Sequence, residues 1–294
     1  MAGPAADGDK PAPGDLRALS GHWASGAHGS WRNLDRSGAL PGDLDFRSLR
    51  AFDDRSAVLV NAGAPARFYR TDDGGAHWTL VREIAAKEIF FDSMAFWNER
   101  DGLAMGDPIG GRFALVVTHD GGRSWQDAPG PGALAGEGAF AASNTCIAVA
   151  GDREAWFASA ARVFHTRDGG ATWTVSAPGL AAGATAGIFS IAFRDARRGY
   201  LTGGDYQAPK SPGLFARTTD GGATWTAGTP PRGYRSAIAV SGDALVLAGT
   251  SGSDFSLDDG RSWSPLGDEP LNAIAVAGGE LSAAGPHGAV WRLR

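Results

Sequence analysis

The sequence predicts an all-β fold, a seven-bladed β-propeller made of four-stranded antiparallel blades. The first observation is an eight-residue phrase, Ser/Thr-x-Asp-x-Gly-x-(Ser/Thr/His)-Trp, that occurs five times. The second is its spacing, since successive tryptophans of the phrase lie 47, 48, 52 and 38 residues apart, a period typical of propeller blades. The third is composition, because 44 glycines and 10 tryptophans suit a turn-rich β protein. The five copies end at Trp78, Trp125, Trp173, Trp225 and Trp263.

Short runs of β-forming residues surround each copy of the phrase in a constant order. In the first complete repeat they cover residues 46–52, 57–60, 67–70 and 78–81, which we designate strands a to d. The phrase joins c to d, and Gly, Asp and Pro residues separate the other runs. The same order recurs at about 90–127, 139–176, 188–227 and 234–266.

Two weaker units flank these five repeats. Residues 15–42 contain an a-like run at 16–19, a b-like run at 22–25 and a degenerate phrase near 34–38. Residues 270–294 contain three β-like runs and no fourth. Counting the a-strands therefore predicts seven blades in one domain over 15–294, with the last outer strand supplied by the N-terminal leader. Six or eight blades remain alternatives.

Composition excludes several classes of function. The formal net charge of −5 argues against a nucleic-acid or anionic-membrane surface, and no apolar run approaches the ~20 residues of a membrane span. Residues 1–14 lack the basic and apolar regions of a signal peptide and are predicted to be a disordered leader, which leaves localisation open. The single cysteine, Cys146, excludes an internal disulfide and lies in an apolar run that predicts burial.

The aspartates of the repeated phrase are predicted to be structural. A carboxylate at this place accepts backbone N–H groups of the c–d turn, and the glycine two residues later allows a positive φ. Catalysis or calcium binding is the alternative, but a calcium loop needs several clustered oxygen ligands and each copy offers one or two carboxylates. We therefore expect no metal at Asp73, Asp120, Asp168, Asp220 and Asp258.

With this phrase the chain resembles the Asp-box propellers, a group that includes sialidases and other glycoside hydrolases. The segments 91–97, 106–108, 203–206 and 253–254 are further similar to bacterial relatives of the photosystem II stability and assembly factor. That resemblance covers residues 15–294 and implies a seven-bladed, export-associated propeller without known catalytic activity. It implies a periplasmic or exported location.

The non-repeated polar residues lie opposite the repeated turns in the predicted topology. Strand direction places the b–c and d–a loops at one mouth of the central channel, where propeller ligands usually bind. A polar pocket or a protein-docking rim is predicted there, and the alternative is a set of ion pairs between blades. The candidate residues are Arg47, Asp92, Asp107, Asn144, Asp205, Tyr206, Tyr234, Arg235, Asp254 and His287.

The favoured function is a non-enzymatic binding or assembly module, and we expect a monomer. Its partner would be a protein or a small polar or carbohydrate ligand. The alternative is a glycoside hydrolase or lyase using two carboxylates among Asp92, Asp107, Asp205 and Asp254. A redox enzyme is a third reading, but no Gly-x-Gly-x-x-Gly fingerprint and no paired histidine spacing support it, so no cofactor is expected.

Overall fold

The computed structural model describes Trp23–Ser25, Leu40 and residues 44–277, 279–286 and 289–293. Within these residues 24 strands form six four-stranded antiparallel sheets. In chain order the strands are β1 (Trp23–Ser25), β2 (Phe46–Ala51), β3 (Ala57–Asn61), β4 (Ala66–Thr71), β5 (Thr79–Ile84), β6 (Phe91–Phe96), β7 (Gly102–Ile109), β8 (Arg112–Thr118), β9 (Gln126–Asp127), β10 (Ile147–Ala150), β11 (Glu154–Ala158), β12 (Val163–Thr166), β13 (Thr174–Ser176), β14 (Ala186–Phe193), β15 (Gly199–Asp205), β16 (Leu214–Thr218), β17 (Thr226–Ala227), β18 (Ala237–Ser241), β19 (Ala244–Gly249), β20 (Gly252–Ser256), β21 (Ser264–Gly267), β22 (Ala273–Ala277), β23 (Glu280–Ala284) and β24 (Val290–Leu293).

The sheets are the blades of a β-propeller, and each follows the predicted a–b–c–d order. Blade 1 is β2–β5, blade 2 is β6–β9, blade 3 is β10–β13, blade 4 is β14–β17 and blade 5 is β18–β21. Blade 6 has the order β22–β23–β24–β1. The inner strands of successive blades contact one another from β2 to β22.

The predicted count of seven blades is wrong, because the described chain forms six. Strand β1 pairs antiparallel with β24, with Trp23 opposite Leu293 and Ser25 opposite Trp291. The run at 22–25, predicted as the b-strand of a separate first blade, is thus the outer strand of the last one. A short apolar run does not reveal which neighbour it will pair with, since that partner lies far away in the sequence. The predicted leader at 1–14, the run at 16–19 and the degenerate phrase at 34–38 lie outside the described residues.

The core consists of layers between neighbouring blades. Phe68 of blade 1 packs edge-on against Phe91 of blade 2 at 5.1 Å between ring centroids and lies 4.8 Å from the ring of Trp125. Trp125 ends the second copy of the phrase and is 5% exposed. Burying each large side chain contributes about 1.5–3 kcal/mol. The tryptophan of the phrase therefore contributes to packing between blades as well as to its own turn.

The repeated turns make the predicted hydrogen bonds. In blade 3, Asp168 Oδ1 accepts the Thr172 backbone N–H at 2.9 Å and the Thr166 hydroxyl at 2.8 Å. Asp168 Oδ2 accepts the Thr172 hydroxyl at 2.6 Å, and the Gly170 N–H donates to Thr166 Oγ1. Gly170 has a φ of 95°, which a side chain would oppose. Equivalent bonds are made by Asp73, Asp120, Asp220 and Asp258.

The same turns also link successive blades. In three cases a side chain of one blade donates to the backbone carbonyl of the fourth residue of the next blade's phrase. These bonds run from Arg70 Nη1 to Gly121, from Trp156 Nε1 to Gly221 at 2.8 Å and from Arg217 Nη1 to Asp259 at 3.3 Å. The face that carries the turns is therefore engaged in holding the blades together.

Candidate functional site

The segment that precedes β10 belongs to the connection between blades 2 and 3, on the side of the propeller opposite the repeated turns. We call residues 138–145 the strap. The Gly138 carbonyl accepts the Ala160 N–H of blade 3 at 3.0 Å, and the Phe140 ring stacks on Phe189 of blade 4 at 3.8 Å. The Ser143 hydroxyl donates to the carbonyl of Ser236, which immediately precedes blade 5, at 2.7 Å. The strap thereby contacts blades 3, 4 and 5 on the side opposite the repeated turns.

Asn144, a predicted site residue, fastens the strap to two further blades. Its φ of 57° is in the left-handed region, which asparagine tolerates better than most residues. Its Oδ1 accepts the Met94 N–H at 3.0 Å and the Ser93 hydroxyl at 3.2 Å, while Nδ2 donates to the Leu49 carbonyl. The Asn144 side chain therefore holds the strap against blades 1 and 2.

Asp92 and Asp107 come together in blade 2. Asp92 is 0% exposed, and no described group donates a hydrogen bond to either of its carboxylate oxygens. Asp107 is half-buried and accepts one bond, from the Ala139 N–H of the strap at 3.0 Å. Burial raises the pKa of Asp92 well above its usual value, and the charge of Asp107 adds to this. Burial also raises the pKa of Asp107.

Arg235 and Asp254 form a closed ion pair inside blade 5. Both side chains are 0% exposed, and Arg235 Nε and Nη2 donate to Asp254 Oδ2 at 2.8 and 2.5 Å. Arg232 donates to the other oxygen at 2.7 Å and also reaches Asp268. Every oxygen of Asp254 is thus occupied by a guanidinium. The pair stabilises blade 5 and leaves neither side chain accessible to a ligand.

An aromatic cluster lies beside the strap. The Phe189 ring contacts Phe140, and it packs edge-on against Tyr234 at 4.8 Å and Tyr206 at 6.3 Å. Tyr234 is 3% exposed, and burial raises the pKa of its hydroxyl. Tyr206 is 46% exposed. Of this cluster, Tyr206 is the member that presents a large face to solvent.

The remaining predicted residues have simpler surroundings. Asp205 is half-buried at the end of β15, where its Oδ1 accepts the Gln207 N–H at 2.9 Å. Arg47 is an exposed residue that pairs with Asp45 at 2.7 Å. His287 lies outside the described residues.

Three residues that form contacts on this face are not among the site residues predicted from the sequence. Phe140 and Ser143 belong to the strap, which the repeat pattern marks only as a connection between blades. Phe189 lies within the inner strand β14. Phe189, Asp92 and Arg47 are the extra residues of β-bulges in β14, β6 and β2, and bulges often re-aim side chains next to functional sites. A sequence signal for these bulges is not evident.

Cavities occur on the face that carries the turns. One of about 390 Å³ is lined by Phe52, Arg70, Arg100 and Arg123 among others, and one of about 420 Å³ shares Arg70 and Arg123 with it. Arg70 is committed to the bond between blades and to Asp72. These cavities accompany the junction between blades 1 and 2.

Two searches of the described residues bear on chemistry and location. No group of three or more His, Cys, Asp or Glu side chains in that part of the chain is placed to hold a metal ion. No helix there is long and apolar enough to cross a membrane.

Comparison with known proteins supports the fold. No protein-family model matches the chain. An 80-residue stretch, 27% of this chain, is 34% identical to 5% of the vacuolar protein sorting/targeting protein 10 of Pyricularia oryzae. The chain therefore matches only a small part of that relative.

Among solved structures, the GH74 enzyme of Niastella koreensis superposes with a TM-score of 0.62 at 15% identity, covering 84% of this chain and 42% of the enzyme. The structure of YCF48 bound to D1 peptide gives a TM-score of 0.48 at 19% identity, covering 68% of this chain and 62% of that one. At such identity the likeness to the GH74 enzyme shows the β-propeller fold alone.

Proposed function

We propose that this protein is a non-enzymatic binding propeller that docks a protein or polar ligand on the strap face. The observation that carries the proposal is the contrast between the two faces. The turn face is bound up in hydrogen bonds within and between blades, whereas the strap face offers the exposed ring of Tyr206 and the half-buried carboxylates of Asp107 and Asp205. Propeller ligands commonly bind at such a mouth.

The burial of the candidate carboxylates favours binding over glycoside hydrolysis. A glycosidase needs two carboxyl groups about 5–9.5 Å apart that both reach the substrate. Asp92 and Asp254 have no exposed surface, and Asp254 is neutralised by Arg232 and Arg235. Asp205 uses one oxygen to hold its own turn. Two of the four candidate carboxylates are therefore closed to a substrate, and only Asp107 and Asp205 keep exposed surface.

We also propose a protein family and a cellular location for this chain. The five repeated turns support placing the chain among the Asp-box propellers, near the bacterial relatives of the photosystem II assembly factor. Within that placement the five turn aspartates are structural, and a periplasmic or exported setting follows from the resemblance. Arg47, Asn144, Tyr234 and Arg235 then surround or support the docking site, and His287, outside the described residues, stays a predicted member of the set.

Site-specific photocrosslinking tests the location of the docking face. A benzophenone amino acid at Tyr206 is expected to capture a partner in cells of the native host, whereas the same group at His77 is not. His77 is a matched control because its side chain is 84% exposed on the turn face. The captured partner is then purified, and its affinity is measured by calorimetry.

Substitution completes the test. Tyr206→Ala is expected to weaken the purified complex by about tenfold, in line with the loss of an aromatic contact residue, and His77→Ala is expected to leave the affinity unchanged. Equal capture at both positions, or an unchanged affinity in Tyr206→Ala, would contradict the proposed face. Turnover of aryl glycosides that disappears in Asp107→Asn would contradict the non-enzymatic assignment.

A further inference from the structure

Blade 2 contains two β-bulges side by side, and each bulged residue is an aspartate. In β6 the register shifts between Phe91 and Ser93, so Asp92 is the extra residue. In β7 it shifts between Gly106 and Pro108, so Asp107 is the extra residue. Phe91 and Gly106 are paired, which places the two bulges next to each other.

The close approach of the two strands at this point requires Gly106. A Cβ atom there would lie 2.1 Å from the Phe90 carbonyl oxygen, which itself accepts the Asp107 N–H at 2.8 Å. Blades 1 and 4 also have a bulge in the inner strand, but their second strands pair with the third without a register shift. Adjacent bulges in the first two strands are therefore peculiar to blade 2 among these three blades.

The two carboxylates lack the cations that accompany other buried acids of this protein. Asp254 contacts two arginines, and Glu137, whose side chain is 7% exposed, is paired with Arg162. Among the described residues, no Lys, Arg or His side chain forms an ion pair with Asp92 or Asp107. Leaving the oxygens of a buried acid without donors is costly, and a group that supplies donors at this place would lower that cost.

The surroundings fit a positively charged group. Asp107 is partly accessible at the strap face, and its Oδ2 accepts no hydrogen bond from the described residues. Asp92 is the neighbouring acid in the paired bulge, and neither of its carboxyl oxygens has a hydrogen-bond partner among the described residues. The Ala139 N–H of the strap donates to Asp107 Oδ1, so the strap holds this carboxylate in place.

Building on the proposed binding function, we propose that the double bulge of blade 2 is a receptor for an ammonium or guanidinium group of the docked ligand. The cation binds the free oxygen of Asp107 in a charge-assisted hydrogen bond. Asp92 supplies the second acidic group, and the strap orients the Asp107 carboxylate through the Ala139 N–H. The group belongs either to a lysine or arginine of a protein partner or to a free amine, because both present the same chemistry.

Peptide titrations monitored by amide NMR test this receptor on the full chain. The probes are acetyl-Gly-Lys-Gly-amide, acetyl-Gly-Arg-Gly-amide and the uncharged norleucine analogue. The lysine and arginine peptides are expected to shift the amides of Asp92, Asp107 and Ala139, and the norleucine peptide is not. The same titration with n-butylammonium separates the two sources, since equal binding of this amine assigns a free amine and weaker binding assigns a peptide side chain.

Variants provide the second arm. Asp107→Asn is expected to weaken binding of the lysine peptide about tenfold. Asp152→Asn removes an exposed carboxylate from the a–b turn of blade 3, on the opposite face, and should keep the affinity within about twofold. If Asp107→Asn does not fold, the comparison of the lysine and norleucine peptides on the unaltered protein still tests the receptor. Equal shifts with norleucine, no response to any charged probe, or an unchanged affinity in Asp107→Asn would overturn the receptor.

The two proposals fail separately. Crosslinking at Tyr206 that captures a partner, together with no response to the cationic probes, would reject the cation receptor and retain the binding function. A cation response lost in Asp107→Asn, together with equal capture at Tyr206 and His77, would retain the receptor and reject the wider docking face.

Discussion

Replacing Asp168 with alanine isolates the contribution of one repeated turn to stability. The change removes three hydrogen bonds to a carboxylate, from the Thr172 N–H, the Thr172 hydroxyl and the Thr166 hydroxyl. Loss of a comparable side-chain cap lowers the free energy of unfolding by about 0.5–2 kcal/mol. Because Asp168 accepts three hydrogen bonds and is partly exposed, we expect a loss of about 2 kcal/mol. At roughly 2–4 °C per kcal/mol for a chain of this size, Tm should fall by about 4–8 °C.

The pH dependence gives this prediction a distinctive signature. Hydrogen bonds from Thr172 and Thr166 lower the pKa of Asp168 from 3.8 to about 2. Because the folded pKa lies below the unfolded one, the stabilisation is fully present above pH 3.8 and is lost as the pH falls towards 2. After allowance for solvent screening this part amounts to about 1 kcal/mol.

Chemical denaturation followed by tryptophan fluorescence measures the effect at several pH values. The difference between the unaltered protein and Asp168→Ala should shrink between pH 5 and pH 2, while Asp168→Asn, which keeps an acceptor oxygen, should lose about half as much. Asp152→Ala, at an exposed position in the adjacent turn of blade 3, is the matched control. A loss below about 0.5 kcal/mol, or a difference that does not change with pH, would refute the reasoning.

Three further predictions concern the buried pair, the closing strand and the cysteine. Arg235→Ala leaves Asp254 without its buried partner and should lower the free energy of unfolding, measured with denaturant, by about 3–5 kcal/mol. The exposed control Arg55→Ala should change it little. A loss below about 1 kcal/mol in Arg235→Ala would contradict this prediction. Deleting residues 1–25 removes β1 and should speed amide hydrogen exchange in β24, its partner strand, while exchange in β20 stays unchanged. Unchanged exchange in β24 would argue against the pairing of β1 with β24. Cys146, which is 0% exposed with its thiol pKa raised by burial, should react with a thiol reagent only after unfolding, and rapid labelling of the native protein would contradict its placement.

The repeated turns were predictable because their interactions lie within eight residues. Asp168, Thr166 and Thr172 are close along the chain, so the identity of each side chain nearly determines its bond. The burial of Cys146 followed from its apolar run in the same way. Alternating strand direction also predicts which loops lie opposite the turns, because it assigns every loop to one of two faces, and that a ligand binds on that face stays a prediction.

The state of the candidate side chains depended on contacts between distant segments. Asp92, Asp107, Asp205 and Asp254 look alike in sequence, yet one lies buried without donors, one is partly open, one holds a turn and one is sealed by arginines. Burial and pairing depend on which groups the fold brings near, and those groups are 19 or more positions away in the case of Asp254.

The sequence by itself determined the all-β propeller, the order of strands within a blade and the local hydrogen bonds of its repeated turns. Each of these rests on local hydrogen bonding and a regular period. Only the tertiary structure decided the number of blades, through the pairing of β1 with β24, and the two adjacent bulges that join Asp92 to Asp107. The reason is that strand pairing and register depend on long-range packing, which an eight-residue pattern does not encode.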